Sequence, residues 1–192
     1  MAVTHYLADH LEYLPQVAAW LHKEWAYLSA TRTVEEVQAQ VTQNCYKDTL
    51  PCTLILLHEG EAIGTAALNL YDMHTHPHLP HWLAAVYIKP EYRGQGWGKQ
   101  LTIDATYKAF ELGVKTLYLA TPDKCGWYES FGWQFIEASA YNDFLTVSIM
   151  KREAPRPLIL DWRNPPPVIS EDPLERINPL QYNAFDEWES FW

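Results

Sequence analysis

The chain is short of cysteine, of glycine, of basic side chains and of long apolar runs, and each shortage excludes something. Its three cysteines, Cys45, Cys52 and Cys125, are an odd number without metal-ligand spacing. That argues against both a disulfide framework and a zinc site and predicts reduced thiols. Lysine and arginine together number 14 against 24 acidic residues, a net charge of −10. A nucleic-acid partner needs clustered cations, so this balance speaks against one, while it favours the approach of a cationic substrate. No apolar run approaches the ~18 residues of a membrane span, and "MAVTHYLADH" lacks the charged and apolar regions of a signal peptide. A cytoplasmic protein without a membrane partner is the expectation. Glycine occurs only 8 times in 192 residues. Yet Gly94, Gly96 and Gly98 crowd into five positions of "KPEYRGQGWGKQL".

What is present suits one globular domain with a full core and an appendage. Leu14, Val17, Ala18, Leu21 and Trp25 recur at helical spacing, and Thr33 with Glu36 forms a capping-box signature ahead of a second, short helix. Thr53 to His58 and Ala62 to Leu70 read as a hairpin turning at Glu59-Gly60-Glu61, and Trp82 to Ile88 as a buried strand. A core-facing helix is predicted over Gly98 to Leu112, a strand from Thr116, and a short helix in "CGWYESF". A final antiparallel pair turns at Tyr141-Asn142-Asp143. A mixed sheet in an α/β or α+β layer fits this order.

After about Arg152 the composition changes. The last 40 residues hold seven of the 13 prolines, and three arginines against eight acids. Such proline density forbids long helices and central strands. Leu158, Trp162, Phe185, Trp188 and Trp192 are nonetheless too apolar for a solvated tail. Residues 153–192 are therefore expected to form an acidic arm packed on the core or on a second subunit, a homodimer in that case; the alternative is a loose regulatory tail.

The glycine cluster has a chemical reading. A helix N-terminus leaves backbone N–H groups unpaired and carries partial positive charge, so it binds anions when no side chain blocks their approach. Gly94, Gly96 and Gly98 remove the blockers, and Arg93 adds charge at the entrance. No Lys-Ser or Lys-Thr follows, so this is not a P-loop, and the glycine spacing is not the dinucleotide fingerprint.

In "VYIKPEYRGQGWG" the chain resembles the acyl-CoA-binding motif of the GNAT superfamily of N-acetyltransferases, with Arg93, Gly96 and Gly98 at the matching positions. "WYESFGW", Trp127 to Trp133, is similar to a second segment of the same family at the expected distance. The resemblance spans roughly Leu14 to Lys151. It implies an α/β (α+β) fold over residues 1–152, with a mixed, mostly antiparallel central sheet flanked by helices and two parallel strands splayed at the cofactor site. It also implies acetyl-CoA as acyl donor, its pantetheine arm along Val86, Tyr87 and Ile88, and its pyrophosphate on Arg93, Gly94, Gln95, Gly96, Trp97 and Gly98. A strand amide near Val86 would polarise the thioester carbonyl, and Tyr128 matches the family's general acid. Where many members carry an asparagine after the fifth strand, this chain has "TPD", so Thr121 or a backbone group is expected to take its place.

Direct attack by an amine also requires a proton acceptor. Asp72 is favoured for binding the cationic amine, with Glu24 as alternative base. His74, His76, His78 and His81 crowd the loop before the fourth strand; three of them at alternate positions invite a metal reading, but Pro77 and Pro80 argue for a loop, and acetyl transfer requires no metal. Cys125 reads as a small packing residue. Most of Trp20, Trp25, Trp82, Trp97, Trp127 and Trp133 should be core, with a few lining the acceptor pocket. The leading expectation is an acetyl-CoA-dependent N-acetyltransferase acting on a small amine. The alternatives are a protein N-terminal or lysine acetyltransferase, and a non-catalytic acyl-CoA sensor.

Overall fold

The computed structural model describes residues 1–28 and 31–155; of the arm expected over residues 153–192, Glu153 closes the last strand and residues 156–192 lie outside the described residues. Seven strands, β1 (Ala2–Tyr6), β2 (Cys52–His58), β3 (Glu61–Asn69), β4 (Trp82–Ile88), β5 (Thr116–Thr121), β6 (Gln134–Asn142) and β7 (Leu145–Glu153), form one sheet in the order β1-β2-β3-β4-β5-β7-β6. Every neighbouring pair is antiparallel except β4 with β5. Among the described residues four α-helices accompany them: α1 (Leu14–Trp25), α2 (Val34–Gln43), α3 (Trp97–Glu111) and α4 (Cys125–Glu129). The predicted mixed, mostly antiparallel sheet flanked by helices is therefore the fold observed.

β2 reads as an unbroken apolar run because both of its faces are covered. Leu54 and Leu56 join one cluster with Leu101, Ala105 and Ala109 of α3. Ile55, between them, joins a second with Val17 and Ala18 of α1 and Val37 and Val41 of α2. Alternation along one strand thus places α3 on one face and α1 with α2 on the other. α2 begins at the anticipated capping box: Thr33 Oγ1 accepts from Glu36 N–H at 3.2 Å and Glu36 Oε2 accepts from Thr33 N–H at 2.9 Å.

The β2–β3 turn has Glu59 and Gly60 at φ 52° and 80°, the left-handed pair of a tight hairpin. The β6–β7 turn falls slightly later than expected, because Asn142 Oδ1 accepts the Phe144 N–H at 3.0 Å and closes the chain around Asp143 and Phe144. β1 has no counterpart in the sequence reading. Five residues pairing with β2 at the sheet edge bury only Ala2 and Tyr6, too weak a pattern to register. No helix among the described residues is long and apolar enough to cross a membrane.

Candidate active site

β4 and β5 meet at a single register pair, Trp82 with Tyr118, and then part. On its other side β4 stays paired with β3, but Thr65 opposes Tyr87 while Ala67 opposes Ala84, so Ala85 and Val86 stand opposite one residue. This is a β-bulge, and Ala85 carries it at φ 52°, a conformation a non-glycine residue seldom adopts. Ala84, Ala85 and Val86 are only half-buried, whereas the residues before and after them in β4 are buried. The bulge and the loss of β5 thus leave an open strand edge above a cleft of about 630 Å³. Gly64 of β3 fixes how closely β4 lies: a Cβ there would stand 2.5 Å from Ile88 Cδ1 and 2.7 Å from the Tyr87 carbonyl oxygen.

β4 runs directly into the glycine stretch. Its exit is strapped to the β2–β3 hairpin: Lys89 pairs with Glu61 and, at 2.9 Å, with Glu91, while Tyr92 Oη donates to Glu61 at 2.8 Å. The Lys89 and Tyr92 hydrogen bonds hold the Glu61 carboxyl below its ordinary pKa. Gly94 and Gly96 then adopt φ 76° and 86°, and a Cβ on either would meet nothing within 4 Å. Here glycine serves the backbone turn and leaves vacant the space where an anion would lie. α3 starts at once. Gln100 N–H bonds the Gly96 carbonyl at 3.1 Å, and the amides of Trp97 and Gly98 precede it, where a helix start lacks intrahelical partners. This cradle and the open edge fit an extended ligand ending in phosphates.

Two side chains of the stretch point elsewhere. Trp97 packs toward the core with its ring 5.1 Å from that of His58, leaving only its backbone in the loop. Arg93 turns back: Nε donates to the Ile88 carbonyl at 2.8 Å, a terminal nitrogen pairs with Glu24 at 3.0 Å, and the guanidinium lies 5.4 Å from the Tyr87 ring centre. Tyr87 stacks in turn on Trp20. Arg93 and Glu24 therefore tie α1 to the end of β4. Gln95 extends from the exposed loop and donates to the Glu91 carbonyl at 3.2 Å.

Across the seam, Thr121 ends β5 buried, its hydroxyl accepting the Lys124 N–H at 3.1 Å and so setting the start of α4. Tyr128 lies on α4, buried but lining the cleft, with Trp127, Phe131 and Trp133 around its ring. Burial, reinforced by the Asp123 charge, raises its phenol above the ordinary pKa of about 10. It stays protonated at neutral pH, the state of a proton donor. Cys125 packs beside it against the core as a free, half-buried thiol.

The opposite bank carries Asp72, just beyond β3. Its side chain is exposed at the cleft, and the protein packed around it raises the carboxyl pKa by desolvation, with a hydrogen bond from Asn69 opposing. That bond, 3.3 Å from Asn69 Nδ2, continues backwards: Asn44 Nδ2 donates to Asn69 Oδ1 at 3.1 Å. Two asparagines from different elements thus orient one acid. Sequence reading named Asp72 and Glu24 but missed Asn44, Asn69 and Ala85, none of which belongs to a local pattern. Gly64, a glycine inside a strand, did carry a signal.

In the histidine loop, His81 N–H bonds the Leu70 carbonyl at 2.8 Å, and His76 is buried with Nε2 3.4 Å from Glu137. Among the described residues no group of three or more His, Cys, Asp or Glu side chains is placed to hold a metal. Of the tryptophans, Trp82 and Trp133 are fully buried, and Trp25 lines the cleft.

A model of the acetyltransferase (GNAT) family matches residues 14–133. Among solved structures, aminoglycoside 6'-acetyltransferase type Ii superposes with a TM-score of 0.63 at 15% identity, over 81% of this chain and 99% of that one. Ribosomal-protein-alanine N-acetyltransferase from Brucella melitensis gives 0.61 at 18% identity, over 79% and 99%. N-acetylglutamate synthase from Neisseria gonorrhoeae, solved with coenzyme A and N-acetyl-glutamate, gives 0.57 at 18% identity, over 81% of this chain but 36% of its own length. At these identities the likeness is one of fold, and substrates do not transfer with it.

Proposed function

Because the chain belongs to the GNAT acetyltransferase family, we propose that it is an acetyl-CoA-dependent N-acetyltransferase that acetylates a primary amine of a small molecule within a ternary complex. The observation that carries this reading is the continuity of three features: an open, bulged edge on β4, a glycine-lined helix start at its end, and a buried protonated tyrosine facing the same cleft.

Acetyl-CoA supplies an activated acyl carbon with a thiolate leaving group. The amides of the Gly94 to Gly98 stretch bind its phosphates, and the β4 edge at Val86, Tyr87 and Ile88 receives its pantetheine arm. The Val86 amide, turned by the Ala85 bulge, donates to the thioester carbonyl oxygen and stabilises the charge that grows there. Tyr128 Oη donates its proton to the departing sulfur. Asp72 binds the acceptor as an ammonium and removes the proton that frees its lone pair. Glu24, already paired with Arg93, is the weaker candidate for that role, since an ion-paired carboxylate is a poorer base. Thr121 contributes through the α4 geometry it sets.

The test is CoA release from acetyl-CoA across polyamines, aminoglycosides, amino acids and peptides with varied N-termini. Turnover on small amines is the expected result. Turnover confined to peptides would replace the acceptor class, and acetyl-CoA binding without turnover on any amine would favour a sensor.

A further inference from the structure

Six charged side chains line the cleft: Glu24, Asp72 and Asp123 against Arg32, Arg93 and Lys124. Four of them cancel in place, Glu24 with Arg93 and Asp123 with Lys124. Asp72 and Arg32 remain, and among the described residues neither has an oppositely charged partner. A carboxylate and a guanidinium that share one cleft without pairing leave two complementary demands on whatever enters it.

Both side chains are exposed at the cleft, and each is tied to neighbouring residues. Asp72 is oriented by the Asn44–Asn69 amide chain. Arg32 sits immediately before the capping box of α2, and its backbone is pinned because His22 Nε2 donates to the Arg32 carbonyl at 2.8 Å. Its guanidinium donates to Gln40 Oε1, two turns along α2, and that single neutral bond leaves other N–H groups for a ligand. Tyr141 of β6, also in the lining, feels both: burial raises its phenol most, the Asp72 charge adds to this, and Arg32 opposes it. The two charges therefore lie within electrostatic reach of one tyrosine.

We propose that the acceptor is a zwitterion, a small amino acid or amino-acid-like molecule whose amine is held by Asp72 and whose carboxylate is held by Arg32. The inference rests on the transferase reading for the chemistry but not for the binding. A guanidinium grips a carboxylate with parallel N–H donors, which an ester or amide of the same molecule cannot match. A polyamine would place a second cation against Arg32 and be disfavoured.

The experiment is calorimetric titration of CoA-saturated protein with L-amino acids of varied side chain, each beside its methyl ester, its primary amide and its decarboxylated amine. At least one acid is expected to bind about tenfold or more tightly than its three derivatives, the loss of one charge-assisted contact. Arg32→Gln should bring that ratio to about one, Arg32→Glu should invert it, and Arg32→Lys should restore it in part. Derivatives or polyamines binding as well as the acids would overturn the proposal, as would an unchanged ratio in Arg32→Gln or an absence of binding by every acid. Acid-selective binding without CoA release from acetyl-CoA would uphold the zwitterion site and overturn the transferase reading, so the two fail separately.

Discussion

At the scale of single residues, Tyr128 and Asp72 are set apart by what surrounds them. Both have raised pKa values, chiefly through desolvation, but the consequence differs: Tyr128 is kept as an acid, and Asp72 is made a stronger base. Tyr128→Phe is expected to lower kcat on the order of a hundredfold while leaving acetyl-CoA affinity unchanged, as measured by steady-state kinetics beside calorimetry. For Asp72, the acid limb of kcat/KM should titrate above the ordinary aspartate value of about 3.9 and vanish in Asp72→Asn. The same substitution has a predictable effect on stability. Folding raises this pKa, so the stability it contributes is complete below the unfolded value and is lost as pH rises through the folded one. Asp72→Asn should therefore raise Tm modestly at neutral pH and not at pH 3, by calorimetric scans at both. Tyr128 was legible because it sits inside a run of aromatics with a recognisable pattern. The orienters of Asp72 were not, since Asn44 and Asn69 meet only after α2 and β3 have folded against one another.

At the scale of elements, the glycine loop and the strand before it form one device. The loop could be read from sequence because three glycines in five positions have a local cause, two of them being left-handed. Gly96→Glu fills the vacant cradle with negative charge and should abolish acetyl-CoA binding in a protein that still folds; normal affinity would refute the phosphate role of the loop. The bulge was not legible, because alanine carries no signal for φ 52°. Only the pairing of β4 with β3 creates it. Gly64 governs that pairing, and Gly64→Val would drive a side chain into the Tyr87 carbonyl. The expected cost is about 1–3 kcal/mol, seen as a lowered Tm together with weakened acetyl-CoA binding, since the displaced strand is the one proposed to receive the donor.

At the scale of the molecule, helices on both faces of the sheet seal its centre. Cys52 lies there with no exposed surface, and burial raises its thiol to about 12. Alkylation should modify Cys45 and Cys125, both half-buried, within the native protein, and Cys52 only as fast as the whole domain unfolds. Mass spectrometry of a labelling time course under native conditions tests this; early modification of Cys52 would show that the sheet opens locally. The class of fold was legible because helical and strand periodicities alternate along most of the chain. The order of strands across the seam was not, since β7 intervening between β5 and β6 is decided by packing over long separations.

That seam also has a bearing on how the protein is made. β1 to β4 lie in the sheet in the same order as in the chain. When Ile88 leaves the ribosomal tunnel, four strands and two helices are outside it, while α3 and β5 have yet to emerge. β4 is then a bare edge, the kind that recruits strands from neighbouring chains. The kink at Ala85 spoils it as a template at just that stage. The kink to which the proposed mechanism assigns the thioester contact thus also makes the nascent half-sheet a poor template for aggregation.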